Sequence, residues 1–247
     1  MGTHREYLLH TSRLTVLRAW LLSLASDLPQ TRQNSIFFAG FDISPKHFPA
    51  PENLPANTRL DVLDAFADEL PEHLIGVFDV VHVRMFFAVV KNNDPGPLIR
   101  NAVRMLKPGG YLQWDDMDGG SKKAIPPNPS VVATATADLI DAIIQSQLGM
   151  NIDYTWIRRL GEHFQKHGLQ VVDDIRMELK KELRKMMTDS SLMVQDHIAK
   201  IHVKNGVMAG TGQNWGKLWA AANAEVDRGV TMVMDLYLCV GQKPLEV

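Results

Sequence analysis

Four short stretches of this 247-residue chain put acids, a histidine or a tryptophan where apolar runs end. In "FFAGFDIS" the acid is Asp42. At a strand tip it can accept hydrogen bonds from ribose hydroxyls, or it can cap the turn that follows. In "RLDVLDAF" it is Asp64, which can accept from the exocyclic amine of an adenine, or stand as a solvated surface acid like Asp61. The apolar neighbours Ile43 and Ala65 can cover a ring face beside these acids. "FDVVHVR" ends with His82 and Arg84, which period-two alternation sends to the same side of a strand. An imidazole at that place, His82, suits a general base for a hydroxyl or an enol. The same pair also fits a core histidine with an arginine that holds a neighbouring carboxylate. "LKPGGYLQWDD" ends with Trp114, Asp115 and Asp116, an aromatic face next to two acids, suited to a flat or cationic substrate. Adjacent carboxylates on one strand seldom converge on an ion, so no metal is expected there.

These side chains need a scaffold that brings strand ends together. "SIFFAGFDIS", "TRLDVLDAF", "GVFDVVHVRMFF" and "GGYLQWDD" read as successive strands, apolar enough to be buried on both faces of a parallel sheet. "DPGPLIRNAVRMLKPGG" reads as a connecting helix, with Pro97 in its first turn and a Pro-Gly-Gly stop. Alternation of this kind implies right-handed βαβ units. After Asp118 the pattern changes to a proline-rich loop, "SKKAIPPNPS", and then to helices over 131–148, 155–168, 190–203 and 215–227. "LQVVDDIRMEL" and "VTMVMDLYLCVG" supply two further strands. Upstream, Leu14, Leu17, Leu21, Leu24 and Leu28 recur at helical spacing, and Tyr7 and His10 continue that stripe backwards. One domain over 1–247 is expected, with an N-terminal helical segment at 1–30 and helical elements at 121–150 and 189–228.

Composition narrows the function classes. A formal charge of −2 with scattered Lys and Arg offers no basic stripe for nucleic acid. The single cysteine, Cys239, excludes an internal disulfide and a cysteine-built zinc site. His163 and His167 sit four apart, a spacing able to clamp an ion on one helix face, but no third ligand is evident. "MGTHREYLL" lacks an apolar export core, and no run approaches the ~20 apolar residues of a membrane span. A soluble cytoplasmic protein acting on a small molecule is expected, with no membrane or nucleic-acid partner.

In order and spacing, Asp42, Asp64, "FDVVHVR", "LKPGGYLQWDD" and the terminal strands resemble the class I S-adenosylmethionine-dependent methyltransferases. The likeness is to the fungal group of secondary-metabolism regulators and tailoring enzymes, and it runs from about Ala19 to Gly241. It implies a doubly wound α/β fold: a mostly parallel seven-stranded sheet, an antiparallel last strand and added lid helices. It also implies S-adenosylmethionine as cofactor, with Asp42, Ile43, Asp64 and Ala65 around the adenosyl part. His82 and Asp115 would serve catalysis, and Arg84, Trp114 and Asp116 would border the substrate.

One departure stands out. No glycine lies between Gly2 and Gly40, where the family carries a glycine-rich loop after its first strand. The expectation is therefore a first strand lost or rewritten, a cofactor site weakened or lost, and a second copy or a partner covering the N-terminal region. Two functions remain open: small-molecule methyl transfer, or a methyltransferase-like protein that no longer methylates. The latter would steer cyclisation or isomerisation of a biosynthetic intermediate, or serve as a regulatory partner. A nicotinamide-dependent dehydrogenase would need the same glycine loop and explains "KPGGYLQWDD" less well.

Overall fold

The computed structural model describes residues 5–11, 23–27, 29, 35–204 and 212–245. Its strands are β1 (Arg5–Thr11), β2 (Ile36–Asp42), β3 (Thr58–Val62), β4 (Phe78–Arg84), β5 (Leu106–Ile125), β6 (Gln170–Glu178) and β7 (Thr231–Gln242). They form one sheet in the order β3-β2-β1-β4-β5-β7-β6. β1 pairs in parallel with β2 and β4, β2 with β3, and β4 with β5. β7 runs the other way. Gly109 N donates to Lys243 O at 2.9 Å and Lys243 N to Gly110 O at 2.8 Å, near-reciprocal bonding that belongs to antiparallel neighbours.

The expected loss of the first strand is not found. Arg5–Thr11 lies at the centre of the sheet, with Tyr7 opposite both Phe38 and Val80. Without it, β2 and β4 would each present an unpaired row of backbone donors and acceptors in the sheet interior. That demand outweighs a helical stripe extended through only Tyr7 and His10. Residues 23–27 are helical, as expected. Leu14, Leu17, Arg18, Trp20, Leu21 and Leu28 lie outside the described residues.

A second correction concerns β5. The strand runs on through Ser121–Ile125, where a proline-rich loop was expected, and only Pro126 ends it. The antiparallel partner makes the extension possible. Ser121 Oγ accepts from Asp235 N of β7 at 2.7 Å and donates to Asp118 O at 2.7 Å.

The chain divides into two compact units. The first takes in 1–116, 156–175 and 237–247. Its core is built on Phe38, Phe41, Phe78, Val81, Val83, Leu112 and Trp114, all nearly inaccessible. Helix α1 (Gly96–Met105) turns Leu98, Ile99, Asn101, Ala102 and Met105 inward. Pro97 sits in its first turn, where a missing N–H costs nothing. Helix α2 (Thr134–Gly149) belongs to the second unit, and α3 (Leu160–Lys166) to the first.

The second unit takes in 117–155 and 176–236. Beside α2 it holds α4 (Arg184–Lys204) and α5 (Gly212–Val226). Leu139, Ile140, Ile143, Leu192, Ala222, Val226 and Met232 form its core. Glu225 ties the end of α5 to the start of α2. Its carboxylate accepts from Ala135 N at 3.0 Å, and from Thr136 N and Thr136 Oγ1 at 2.7 Å each. α2 has no side chain of its own capping its first turn, so a residue about ninety positions away supplies the acceptor that a local Ser or Asp would. Burial alone would raise the Glu225 pKa, but the hydrogen bonds from Thr136 and Ala135 outweigh it and leave the group below the usual carboxylate range.

Because that folded value is depressed, the stabilisation is present above the unfolded carboxylate value of about 4.3 and fades as pH falls through the lower folded one. Glu225→Ala should lower unfolding free energy by about 2–3 kcal/mol at pH 7, since buried donors lose their acceptor. The difference from the parent protein should shrink in acid. Denaturant titrations at pH 7 and at about pH 3 check both statements, and equal stabilities at pH 7 would refute the cap.

Candidate functional site

The carboxyl ends of β2, β3 and β4 and the Asp115–Asp116 stretch of β5 lie along one edge of the first unit, where open parallel sheets bind ligands. Asp42 is the last residue of β2 and only 8 % exposed. Its Oδ1 accepts from Ser44 N at 2.9 Å, and Ser44 in turn caps the short 3₁₀ turn Pro45–His47. Asp42 Oδ2 has no partner among the described residues. Asp64 lies two residues beyond the end of β3 rather than at its tip, because β3 stops at Val62. Leu63 N donates to Asp42 O at 3.0 Å, so the loop carrying Asp64 starts against the strand that carries Asp42. Asp64 Oδ1 accepts from Phe66 N at 2.9 Å. Its second oxygen is exposed and free of partners among the described residues. Ile43 is 52 % exposed, whereas Ala65 is buried.

The next two strands contribute a linked trio. In the β4–β5 register Arg84 stands opposite Asp115. The Asp115 carboxylate meets His82 Nε2 through Oδ1 and lies 3.1 Å from Arg84 Nε through Oδ2. His82 is almost wholly buried, so Asp115 and Arg84 are the members that face outward. Met85, the next residue, takes a left-handed φ of 57° and donates its N–H to Asp115 O at 3.1 Å. A non-glycine residue in that conformation stores strain, and the bonds around it hold it there.

Trp114 and Asp116 do not sit as expected. Both were placed beside the substrate, but Trp114 is 0 % exposed and Asp116 2 %. Period-two alternation along β5 explains it: Leu112, Trp114 and Asp116 turn inward, and Tyr111, Gln113 and Asp115 turn to the other face. The Trp114 ring packs edge-on against Phe86 at 6.2 Å and Trp156 at 5.5 Å. Asp116 Oδ2 accepts from Phe86 N at 2.8 Å and from Trp114 Nε1 at 3.1 Å. Phe86 also touches Phe66, in the Asp64 loop, with ring centres 6.2 Å apart. These buried groups hold up the edge from beneath and offer no surface to a ligand.

Sequence reading passed over Asn101. It lies on the buried face of α1, and its Nδ2 donates to Ala65 O and Ala67 O, each at 2.8 Å. The available signal was a polar side chain on the apolar stripe of Leu98, Ile99, Ala102 and Met105.

Other candidate groups lie apart from this edge. Cys239 is buried, and desolvation, with Asp174 and Asp173 nearby, pushes its thiol up to about 12, which leaves little thiolate near neutrality. His167 Nδ1 is 2.7 Å from His163 O, a contact within one helix turn. Among the described residues no three His, Cys, Asp or Glu side chains converge as a metal site. None of the helices described is long and apolar enough to cross a membrane. A cavity of about 150 Å³ lined by Phe37, Phe38, Thr58 and Phe78 opens at the opposite, amino end of the strands.

With this strand order and edge, the chain is a protein of the class I S-adenosylmethionine-dependent methyltransferase fold. Residues 24–113 match the methyltransferase domain family. The methyltransferase grgD of Penicillium is 37 % identical over 108 residues, covering 44 % of this chain and 35 % of that protein. The N-methyltransferase tcpN of Claviceps purpurea is 36 % identical over 95 residues, covering 38 % of this chain and 32 % of that protein. The matched stretches thus take in about a third of each relative's length. Among solved structures, phosphoethanolamine N-methyltransferase 2 of Haemonchus contortus, in complex with S-adenosyl-L-methionine, superposes with a TM-score of 0.52 at 16 % identity. That match covers 99 % of this chain and 50 % of the other.

Removing the Asp116 carboxylate takes its hydrogen bonds from two buried donors, Phe86 N and Trp114 Nε1. Asp116→Ala should therefore cost about 2–4 kcal/mol of unfolding free energy. Urea denaturation measures it, and an unshifted midpoint would show that the Phe86 and Trp114 bonds contribute nothing.

Proposed function

We propose that this chain is a small-molecule, S-adenosylmethionine-dependent methyltransferase-like protein of fungal secondary metabolism, working in the cytoplasm. The observation that carries the reading is the pair of half-used carboxylates at neighbouring strand exits. Asp42 keeps one oxygen unpartnered among the described residues although little of the residue is exposed, and such an acceptor suits the hydroxyls of a ribose. Asp64, with one oxygen free among the described residues, suits an exocyclic amine, and the exposed Ile43 suits the face of an adenine. The fungal relatives, tcpN among them by name an N-methyltransferase, favour methyl transfer and an amine as the acceptor.

The bound cofactor would supply a methyl group on a sulfonium, electrophilic enough to be taken by an amine or hydroxyl. The protein's part is to hold the acceptor and take its proton. Asp115 is the acid placed for that, being the partly exposed carboxylate of the trio. His82, enclosed beneath it, acts through Asp115 by fixing its orientation, and Arg84 fixes its other oxygen. A base held from two sides loses little orientational freedom when an acceptor arrives. The Arg84 side chain is 38 % exposed, and the outward part of its guanidinium suits an acidic group of the substrate.

A second reading rests on the segment that leaves β1. Residues 12–22, "SRLTVLRAWLL", follow the central strand and contain no glycine. Glycines there would let backbone N–H groups approach the cofactor. A chain without them suits a protein that binds a biosynthetic intermediate and steers its cyclisation or isomerisation, or a regulatory partner. Cofactor-free protein should then alter the product profile of its pathway, and an unaltered profile counts against this reading.

Titration calorimetry with S-adenosylhomocysteine separates the two. Measurable binding is expected, and Asp42→Asn, which keeps the turn acceptor but removes the charge, should weaken it about 10–100-fold, the equivalent of roughly 1.5–3 kcal/mol. Absence of heat at millimolar ligand would end the methyltransferase reading.

A further inference from the structure

One polar side chain interrupts the apolar face that α1 lays on the first unit. Asn101 is 6 % exposed, and both of its contacts from Nδ2 go to a single loop, at Ala65 O and Ala67 O. The amide group has two hydrogens to give, and this geometry commits both. Among the described residues the loop's other hydrogen bonds are local or lie at its start: Phe66 N to Asp64 Oδ1, Ala67 N to Asp64 O at 3.1 Å, and Leu63 N to Asp42 O. Asn101 reaches it from 34 and 36 residues away and anchors its far half to a helix. The exposed Asp64 lies between the anchored start and the anchored end, and its second oxygen has no partner among the described residues.

We infer that Asn101 is a positioning residue that sets base selectivity: it holds the loop so that Asp64 presents a fixed acceptor to the amine of an adenine. The inference rests on the adenosyl reading of the site given above. A carboxylate on a loop tethered at both ends keeps one direction, and a directed acceptor rewards a donor and penalises another acceptor in the same place. With the far tether cut, Asp64 can swing away from an unfavourable partner, and the penalty disappears. Burial of Asn101 among Leu98, Ile99 and Ala102 would serve packing better with an apolar side chain. The amide therefore stabilises a loop conformation at the expense of a simpler core.

The test compares S-adenosylhomocysteine with S-inosylhomocysteine, in which a carbonyl oxygen replaces the amine. Wild-type protein should prefer the adenine compound by at least about tenfold, as expected for a charged acceptor facing an amine. In Asn101→Asp, which keeps the shape but repels the two carbonyls, and in Asn101→Ser, which is too short to bridge them, the preference should fall to within about threefold. Affinity for the adenine compound should fall and that for the inosine compound should rise, because the reward and the penalty are lost together. A general loss of structure would weaken both compounds alike, so parallel weakening overturns the inference, as does an unchanged ratio. Combining either variant with Asp64→Asn should give no further change, because Asn101 acts through Asp64. Amide exchange at Phe66 and Ala67 in ligand-free protein should quicken in both Asn101 variants, and unaltered exchange would deny the tether itself. If wild-type protein binds neither compound, the adenosyl reading fails and base selection by Asn101 fails with it. If it binds both with the expected preference and the variants do the same, only the Asn101 inference fails.

Discussion

Two consecutive carboxylates on one inner stretch of strand divide the work at the carboxyl edge of the first unit. The strand's alternation sends Asp116 inward, where it accepts from the Phe86 backbone and the Trp114 indole. It sends Asp115 to the other face, where His82 and Arg84 hold it. The parallel register of β4 and β5 makes both arrangements possible at once, since it sets Arg84 opposite Asp115. A slip of one residue would exchange the two acids, burying the partly exposed one and exposing the one that supports the turn. The polar edge and the aromatic layer under it are thus consequences of a single pairing.

That aromatic layer connects the parts of the edge. Trp156, Trp114, Phe86 and Phe66 touch in sequence, and Phe66 belongs to the loop of Asp64. From the other side Asn101 holds the same loop by its carbonyls. Both supports are buried, so the exposed acids rest on parts that solvent does not reach. The second unit follows the same economy with one side chain, Glu225, whose carboxylate closes the open end of a helix that brings no cap of its own.

Much of the sheet was legible because its signals are short-range. Apolar runs ending in acids, and a proline-opened helix followed by Pro-Gly-Gly, placed β2, β4 and α1 to within a few residues. The first strand escaped because "REYLLHT" carries little β pattern; its place comes from the two neighbours that need pairing. The far half of β5 escaped for a related reason, since a partner more than a hundred residues away sustains it. Trp114 and Asp116 look like site residues by type and position, and only the direction of each side chain takes them out of the site.

The amino-acid sequence by itself determined that acids follow the apolar runs, the βαβ alternation, and the absence of glycine between Gly2 and Gly40. These follow from residue type and local periodicity, which need no knowledge of distant neighbours. Tertiary structure alone decided that Arg5–Thr11 completes the sheet, that Asp115 rather than Asp116 faces outward, and that Asn101 and Glu225 hold elements far from them in the chain. Those outcomes depend on register and on hydrogen bonds between remote segments, which no local pattern records.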